Sequence, residues 1–395
     1  MGNKYSIGDQ LDVQIEKIVP RGFGLAFAEG LTVFVSLAAP GDKLRVRLDE
    51  IKGKLAFAEI VEVLEPSEYR VDPPCEYFGT CGGCNFQQMT YVAQLAAKVD
   101  IIRDCLHRIA KIDYDREIPI IPSPDEFGYR LRAQWHADTA SEKIGYYRRN
   151  SRDLIDITKC IVLAPELNEE LEAMRGELPW HTIFADKFQI DAAVGSDASV
   201  SIHSDEFAEP SREIDVAAFG EKFRFTAKSF FQGNRSMVDK LVEVAIGDAR
   251  GETALDLYCG VGLFTLPLAR RFGTVVGVEE SETSIEFANK NAEAAGLSNI
   301  DLYPESVRDY LASGEVPNAE FVLLDPPRAG TEKDTIMNLI ALKPKRVSYV
   351  ACEPSVLARD LKRFVENGYK IDSITALDMF PQTHHVETVV HLELV

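Results

Sequence analysis

From residue 250 to the C-terminus, strand-like apolar runs alternate with helix-like stretches. The runs are TALDLY, TVVGVE, IDLY, AEFVLLDPP and RVSYVAC, and the stretches between them include SETSIEFANKNAEAAG and SVLARDLKRFVENG. Two late runs follow, IDSITALDMF and VETVVHLELV. Strand–helix repetition of this length predicts an open, Rossmann-like doubly wound α/β sheet with helices on both faces. In the second helical stretch, Ser355 after Pro354 is the expected N-cap and Gly368 the expected end.

The rest of the chain obeys other rules. Over 5–63, LDVQIEKIV, GFGLAF, LTVFV, DKLRVRLDEI and KLAFAEIVEVL read as five short strands of a small oligonucleotide-binding-type β-barrel, with Gly22 and Gly24 at a bend. EPSEYRVDPPC reads as a linker. Residues 87–110 are helix-like, with Leu95, Val99, Ile102 and Leu106 at helical spacing. About 115–228 reads as a mixed β domain of unreadable topology. The expected division is a barrel at 1–64, a central domain at 65–228 and an α/β domain at 229–395, with the 87–110 helix packing on the latter.

Ligands of a doubly wound sheet bind at the carboxyl ends of its strands. The first strand ends in Asp256-Leu-Tyr-Cys-Gly260-Val-Gly262, and the next ends in Glu279, which can accept both hydroxyls of a ribose. DLYCGVG lacks the third glycine of a pyrophosphate loop, so an adenosine cofactor without pyrophosphate fits better, namely S-adenosylmethionine. A tight turn without a ligand is the bland alternative.

Three further signals sit at strand ends. LLDPPRAG places Asp325 in a turn stiffened by two prolines. SYVACEPS places Cys352 at the end of the fifth strand, although a lone cysteine is more often a small buried hydrophobe. HHVETVVHL opens the last strand with Glu387. Methylating carbon 5 of a pyrimidine needs a nucleophile for carbon 6, a base for the carbon 5 proton and a group to hold the pyrimidine edge. Cys352, Glu387 and Asp325 supply those types.

Four of the seven cysteines, Cys75, Cys81, Cys84 and Cys160, combine a tight GTCGGC loop with one remote member. The odd total argues against a disulfide framework. Four thiolates can hold zinc or an iron–sulfur cluster, and the uneven spacing suits paired zinc hairpins poorly. Cys105 reads as core.

The net charge of −20 looks wrong for binding a polyanion, but it is unevenly spread. Residues 161–221 hold 14 acidic and 3 basic residues, while 127–152 hold six basic and two acidic, interleaved with Tyr129, Trp135, Tyr146 and Tyr147. Arginines between aromatics suit splayed RNA. The barrel is near neutral over 1–64, with 8 basic and 9 acidic residues, so Phe23, Phe27 and Phe34 are its stacking candidates. No apolar run is long enough to span a bilayer, and MGNKYSIGDQ lacks a secretory signal's apolar stretch, so the expectation is a cytoplasmic protein without membrane association.

The chain resembles the RNA uracil-5 methyltransferase family over nearly its full length. The resemblance rests on FFQGN at 230–234, DLYCGVG at 256–262, GVE at 277–279, LLDPPRAG at 323–330, VACEPSVLARDL at 350–361 and DMFPQTHHVETVV at 378–390. It implies a class I methyltransferase domain, a TRAM barrel and a monomer. It further implies cofactor contacts from Gln232, Tyr258, Glu279 and Asp325 beside Gly260, with Ser306 where the family carries asparagine. Cys352 would be the nucleophile and Glu387 the base. The cysteine set resembles the [4Fe–4S] arrangement of the ribosomal RNA branch, which favours 23S rRNA as substrate, with the T-loop of transfer RNA as the alternative. The target uridine would be flipped out of its stack. A cytosine-5 methyltransferase and a non-catalytic RNA-binding assembly factor are the other readings. Loss of methylation with retained RNA binding in Cys352→Ala would exclude the last.

Overall fold

The barrel begins by bending. The run LDVQIEKIV is not one strand: it breaks into β1 (Gln10–Gln14) and β2 (Lys17–Val19). With β3 (Phe23–Ala28), β4 (Leu31–Val35), β5 (Lys43–Lys52) and β6 (Leu55–Glu65), they form a six-stranded sheet in the order β1-β5-β6-β4-β3-β2. The two ends of that order are two residues apart in the chain, so the sheet must curl on itself around Val13, Ile15, Val33, Val46 and Ala56. Five strands become six because one run pairs first with β5 and then with β3. The structure, a computed structural model, describes residues 5–28 and 30–395, so residues 1–4 and 29 of the expected 1–64 barrel lie outside the described residues.

Helix α1 (Tyr91–Cys105) follows the cysteine loop and runs into a wide turn at 106–110. Its buried face carries Ala93, Gln94, Ala97, Lys98, Ile101, Ile102 and Cys105. Leu95 and Val99 are only half-buried, so the face is rotated from the one their spacing predicts. Strand β7 (Ile120–Ile121) leaves this region to pair with a late strand of the α/β sheet.

The central β region is a five-stranded antiparallel sheet, β10-β9-β8-β11-β12. Its strands are β8 (Arg132–Asp138), β9 (Lys143–Tyr147), β10 (Leu154–Asp156), β11 (Lys187–Val194) and β12 (Val200–His203). Helix α2 (Pro165–Glu177) covers it with Leu167, Leu171 and Met174 against Trp135 and Ile190. The hairpin β13 (Ile214–Ala218) and β14 (Glu221–Phe225) packs Val216, Phe223 and Phe225 into the same core as α3 (Arg235–Ile246). Packing therefore crosses the expected boundary at 228/229, through this hairpin and β7 as well as through α1.

The α/β domain adds β15 (Gly251–Leu257), α4 (Thr265–Ala269), β16 (Phe272–Val278), α5 (Glu282–Ala294), β17 (Ile300–Tyr303) and α6 (Val307–Ala312). There follow β18 (Phe321–Leu324), α7 (Lys333–Ala341), β19 (Arg346–Ala351), α8 (Pro354–Glu366), β20 (Tyr369–Leu377) and β21 (Glu387–Leu394). Strand order is β17-β16-β15-β18-β19-β21-β20-β7, parallel except for β21, which runs antiparallel to both neighbours. Alternate strand residues feed two cores. Ala254, Val275 and Leu323 join α3 and α5 on one face, and Leu255, Val276 and Val322 join α6, α7 and α8 on the other. The order reverses on either side of β15, which places the ligand crevice at the carboxyl ends of β15 and β18.

The N-cap of α8 is Glu353, not Ser355. Proline is favoured at the first helical position because its φ is already helical. That makes residue 353 the cap, and its carboxylate accepts from the Ser355 backbone N–H and hydroxyl.

Candidate active site

Strand register brings the reacting groups together. The antiparallel pair β19–β21 sets Ala351 opposite Thr388, so the next residues, Cys352 and Glu387, come to the same end of the ladder, close enough for Glu387 to act on the thiol. Asp325 is the first residue past β18, which pairs with β19 through Leu324 and Tyr349. Its backbone N–H donates to Leu257 (3.3 Å), and its carboxylate accepts from Gln232 Nε2 (3.4 Å). The partly exposed Cys352 lines a small cleft with Pro326, Pro327, Arg328, Gly330 and Glu353.

Burial works against charge on three of the groups gathered here. Burial pushes the Cys352 thiol up to about 12, with Glu387 adding to the shift and Arg328 opposing it. Glu387, 3% exposed with Oε1 unpartnered, is held well above the ordinary carboxylate range by burial and then by Asp325. Asp325 is pushed up to about 7 by burial and then by Asp256. Arg328 is the group the sequence reading did not single out. It sits inside the DPPRAG run, but nothing in a linear motif says that its cation faces the thiol.

At the other side of the crevice, Tyr258, Gly260 and Gly262 have φ of 67°, 54° and 96°. A backbone turned this way exposes its amides. The Gly260 N–H donates to Glu279 (3.1 Å), whose other oxygen accepts from Ser281 N–H (2.9 Å). No atom lies within 4 Å of where a Gly260 Cβ would stand, so the turn borders open space. Asp256 beneath it is fully buried, accepts from Thr265 Oγ1 (2.5 Å), keeps Oδ1 unpartnered and is pushed by burial up to about 7. An open glycine turn, a carboxylate at the neighbouring strand end and an amide donor at Gln232 fit an adenosine-bearing amino acid such as S-adenosylmethionine. Ser306 differs. Its hydroxyl caps α6, accepting from Asp309 N–H (3.1 Å) and donating to Asp309 Oδ2 (2.7 Å), which leaves it no free donor.

Cys75, Cys81, Cys84 and Cys160 line one pocket with Arg130, Tyr146 and Val162, all as free thiols. Gly82 packs closely there, where a Cβ would stand 3.2 Å from the Tyr147 carbonyl oxygen and would push it by a few tenths of an ångström. Burial, and after it neighbouring thiols, raises Cys81 and Cys84, the latter to about 12. No three of these sulfurs lie mutually within 4.8 Å. A single tetrahedral zinc would hold its thiolates about 3.8 Å apart, from Zn–S of about 2.3 Å. The wider spread suits a cubane, whose thiolates sit at separate corners.

Among the described residues, only Glu353, His384 and His385 bring three such ligand atoms within 4.8 Å of one another. Burial lowers both imidazoles, His384 to about 4 and His385 to about 2, with Lys98 and Arg328 adding to the shift. The cations that disfavour an imidazolium there disfavour a metal ion too.

The expected RNA face is partly corrected. Trp135 and Tyr129 are core residues, 0% and 5% exposed. Arg132 donates to the Ser229 and Ala227 carbonyls, Arg149 pairs with Glu59, and Arg130 lines the cysteine pocket. Lys143, Arg148 and Arg152 stay exposed, and Tyr147 stacks on His136 at 3.9 Å. On the barrel, Phe23 and Phe34 cluster with Phe57 (ring centroids 5.3–6.3 Å) on the half-exposed face, with Phe27 exposed.

Residues 181–395 match the family described as tRNA (Uracil-5-)-methyltransferase, and residues 4–61 match the TRAM domain. The chain is 32% identical to the 23S rRNA (uracil(1939)-C(5))-methyltransferase RlmD of Methylococcus capsulatus, covering 98% of this chain and 97% of that protein. It is 31% identical to RlmD of Vibrio parahaemolyticus, covering 96% and 95%. Among solved structures, Pyrococcus abyssi tRNA (uracil-54, C5)-methyltransferase in complex with S-adenosyl-L-homocysteine is similar over 97% of this chain and 100% of that one, with a TM-score of 0.74 and 26% identity. Among the described residues, no helix is long and apolar enough to cross a membrane.

Proposed function

The chain belongs to the tRNA (uracil-5-)-methyltransferase family and is an S-adenosylmethionine-dependent RNA methyltransferase, and we propose that it methylates carbon 5 of a uridine in 23S rRNA through a covalent Cys352 adduct. The observation that carries the mechanism is that the β19–β21 pair, in register up to Ala351 and Thr388, leaves Cys352 and Glu387 at the same end of the ladder, with Glu387 and Asp325 both close enough to act on the thiol.

The Cys352 thiol loses its proton to solvent, and the thiolate, stabilised by Arg328, adds to carbon 6 as the pyrimidine electrons move to carbon 5 and its carbonyl. S-adenosylmethionine would be held by Gln232, Tyr258, Glu279 and the Gly260 turn; carbon 5 attacks its methyl carbon, the new carbon–carbon bond forms as the methyl–sulfur bond breaks, and S-adenosyl-L-homocysteine leaves. Asp325, linked to Gln232, orients the pyrimidine edge. Glu387 then takes the carbon 5 proton, the carbon 5–carbon 6 double bond re-forms, and Cys352 leaves as thiolate. Cys75, Cys81, Cys84 and Cys160 would hold a [4Fe–4S] cluster, and the methyl transfer needs no electron from it. The wide sulfur spacing supports a cubane over zinc.

The 23S reading rests on full-length similarity to the RlmD proteins, and the transfer-RNA reading on the Pyrococcus abyssi structure. Wild type and Cys352→Ala are incubated with unmodified 23S rRNA and with tRNA, each with tritiated S-adenosylmethionine, and the labelled base is mapped. Label at a 23S uridine, absent with Cys352→Ala, is expected. Label in tRNA alone would replace the substrate, and label with the alanine variant would remove the covalent route.

A further inference from the structure

The segment 378–386 joins β20 to the first residue of β21, Glu387, and has no regular structure of its own. Buried irregular backbone must find partners outside itself. Most of them come from one short stretch, residues 85–98, while Tyr129 and Asn234 donate to the Pro381 and Met379 carbonyls and Ile121 accepts from the Asp378 N–H. Lys98, fully buried on α1, pairs with the equally buried Asp378 and donates to the Phe380 carbonyl (3.1 Å). Gln94 and Gln382 exchange two bonds: Gln94 Nε2 donates to Gln382 Oε1 (3.0 Å), and the Gln382 N–H donates to Gln94 Oε1 (3.0 Å). Gln382 sits at φ 68°, a left-handed conformation that a residue other than glycine holds only when its surroundings impose it.

The other half of the grip follows Cys84 directly. The Asn85 and Phe86 N–H groups both donate to the Gln382 carbonyl (3.1 and 3.0 Å). The Asn85 side chain meets His384 twice, accepting from its N–H (2.9 Å) and donating through Nδ2 to its ring Nδ1 (2.7 Å). The barrel closes over this pair at Gly22, where a Cβ would stand 2.7 Å from Asn85 Nδ2 and 3.1 Å from His384 Cβ. Three of the four pocket cysteines, at 75, 81 and 84, end one peptide bond before Asn85.

We infer that the cysteine loop is a positioning clamp for the catalytic base. Asn85 holds Gln382 and His384, and through them the start of β21, so that Glu387 faces Cys352 only while the four thiolates are tied to their cluster. The inference rests on the reading of those cysteines as cluster ligands. It gives that cluster a role in methyl transfer without passing an electron: assembly orders residues 85–86, and their hydrogen bonds order the segment that ends in Glu387. Asn85 is a positioning residue, since nothing places it in contact with the reacting atoms.

The test uses the full chain purified anaerobically. Amide hydrogen exchange is followed at Gln382 and His384 in three samples: as purified, after stripping with ferricyanide and EDTA, and in Asn85→Ala. Exchange roughly tenfold or more faster is expected in both the stripped protein and Asn85→Ala, the variant keeping its cluster absorbance. In Asn85→Ala, kcat should fall by a similar factor while KM for S-adenosylmethionine is unchanged. Asn85→Asp, which keeps the acceptor for the His384 N–H but not the ring donor, should lie between. Wild-type exchange and kcat in Asn85→Ala would overturn the clamp. Unchanged exchange on stripping would overturn its dependence on the cluster. As-purified protein without iron and sulfide would instead sink the cluster reading, and Asn85→Ala would still judge the clamp.

Discussion

Glu387→Gln separates the two halves of the proposed chemistry. Burial raises the Glu387 carboxyl well above the ordinary carboxylate range, and glutamine matches it in shape without a charge, so the fold and resting cleft should survive. Turnover should not, because the carboxylate is needed to take the carbon 5 proton. Loss of a general base costs about 10²–10⁴ in rate. Adduct formation needs only Cys352, so the variant should accumulate RNA covalently attached to protein, seen as a band retained on a denaturing gel and lost when Cys352→Ala is added. The resting thiol offers an internal control. With its pKa pushed up to about 12, Cys352 is ionised at pH 8 to roughly one part in 10⁴, against roughly one in four for an unperturbed thiol. Iodoacetamide should therefore alkylate it slowly, about tenfold faster per pH unit between 7 and 10, and no slower in Glu387→Gln, which removes the carboxyl that adds to the shift. Turnover within tenfold of wild type with no retained RNA would show that the base lies elsewhere. An alkylation rate flat in pH would show that the thiol is already ionised.

Glu279→Ala should weaken S-adenosyl-L-homocysteine binding about 10- to 100-fold by calorimetry, the worth of a charge-assisted hydrogen bond; a Kd within twofold of wild type would move the ribose site. Asp256 has a folded pKa near 7, above its unfolded value of about 4, so its burial costs nothing below pH 4 and progressively more up to pH 7. Asp256→Asn should accordingly raise Tm more at pH 8 than at pH 5, and a pH-independent difference would refute the shift. Lys98→Ala should cost about 3–5 kcal/mol in denaturant unfolding by stranding Asp378, and Lys98→Met with Asp378→Leu should recover most of it; a single-variant loss under about 1 kcal/mol would mean that water reaches the carboxylate.

Local order was legible in the chain itself. Regular alternation from residue 250 determined the doubly wound sheet, since strands apolar on both faces fit only between helix layers. Strand-end positions for Asp325, Cys352, Glu279 and Gly260 followed from that alone, as did the cysteine set from its spacing. Three-dimensional pairing decided the rest. LDVQIEKIV split because its two halves found different partners, a choice made by strands β3 and β5. Gln94 and Lys98 turned inward on α1, against the pattern of their neighbours, because Gln382 and Asp378 wait there. Trp135 and Tyr129 went into the core although their arginine neighbours suggested RNA. The adjacency of Cys352 and Glu387 was likewise invisible in sequence, where they lie 35 positions apart. It exists because β21 inserts antiparallel between β19 and β20, and the register of that insertion is a property of the sheet rather than of either segment.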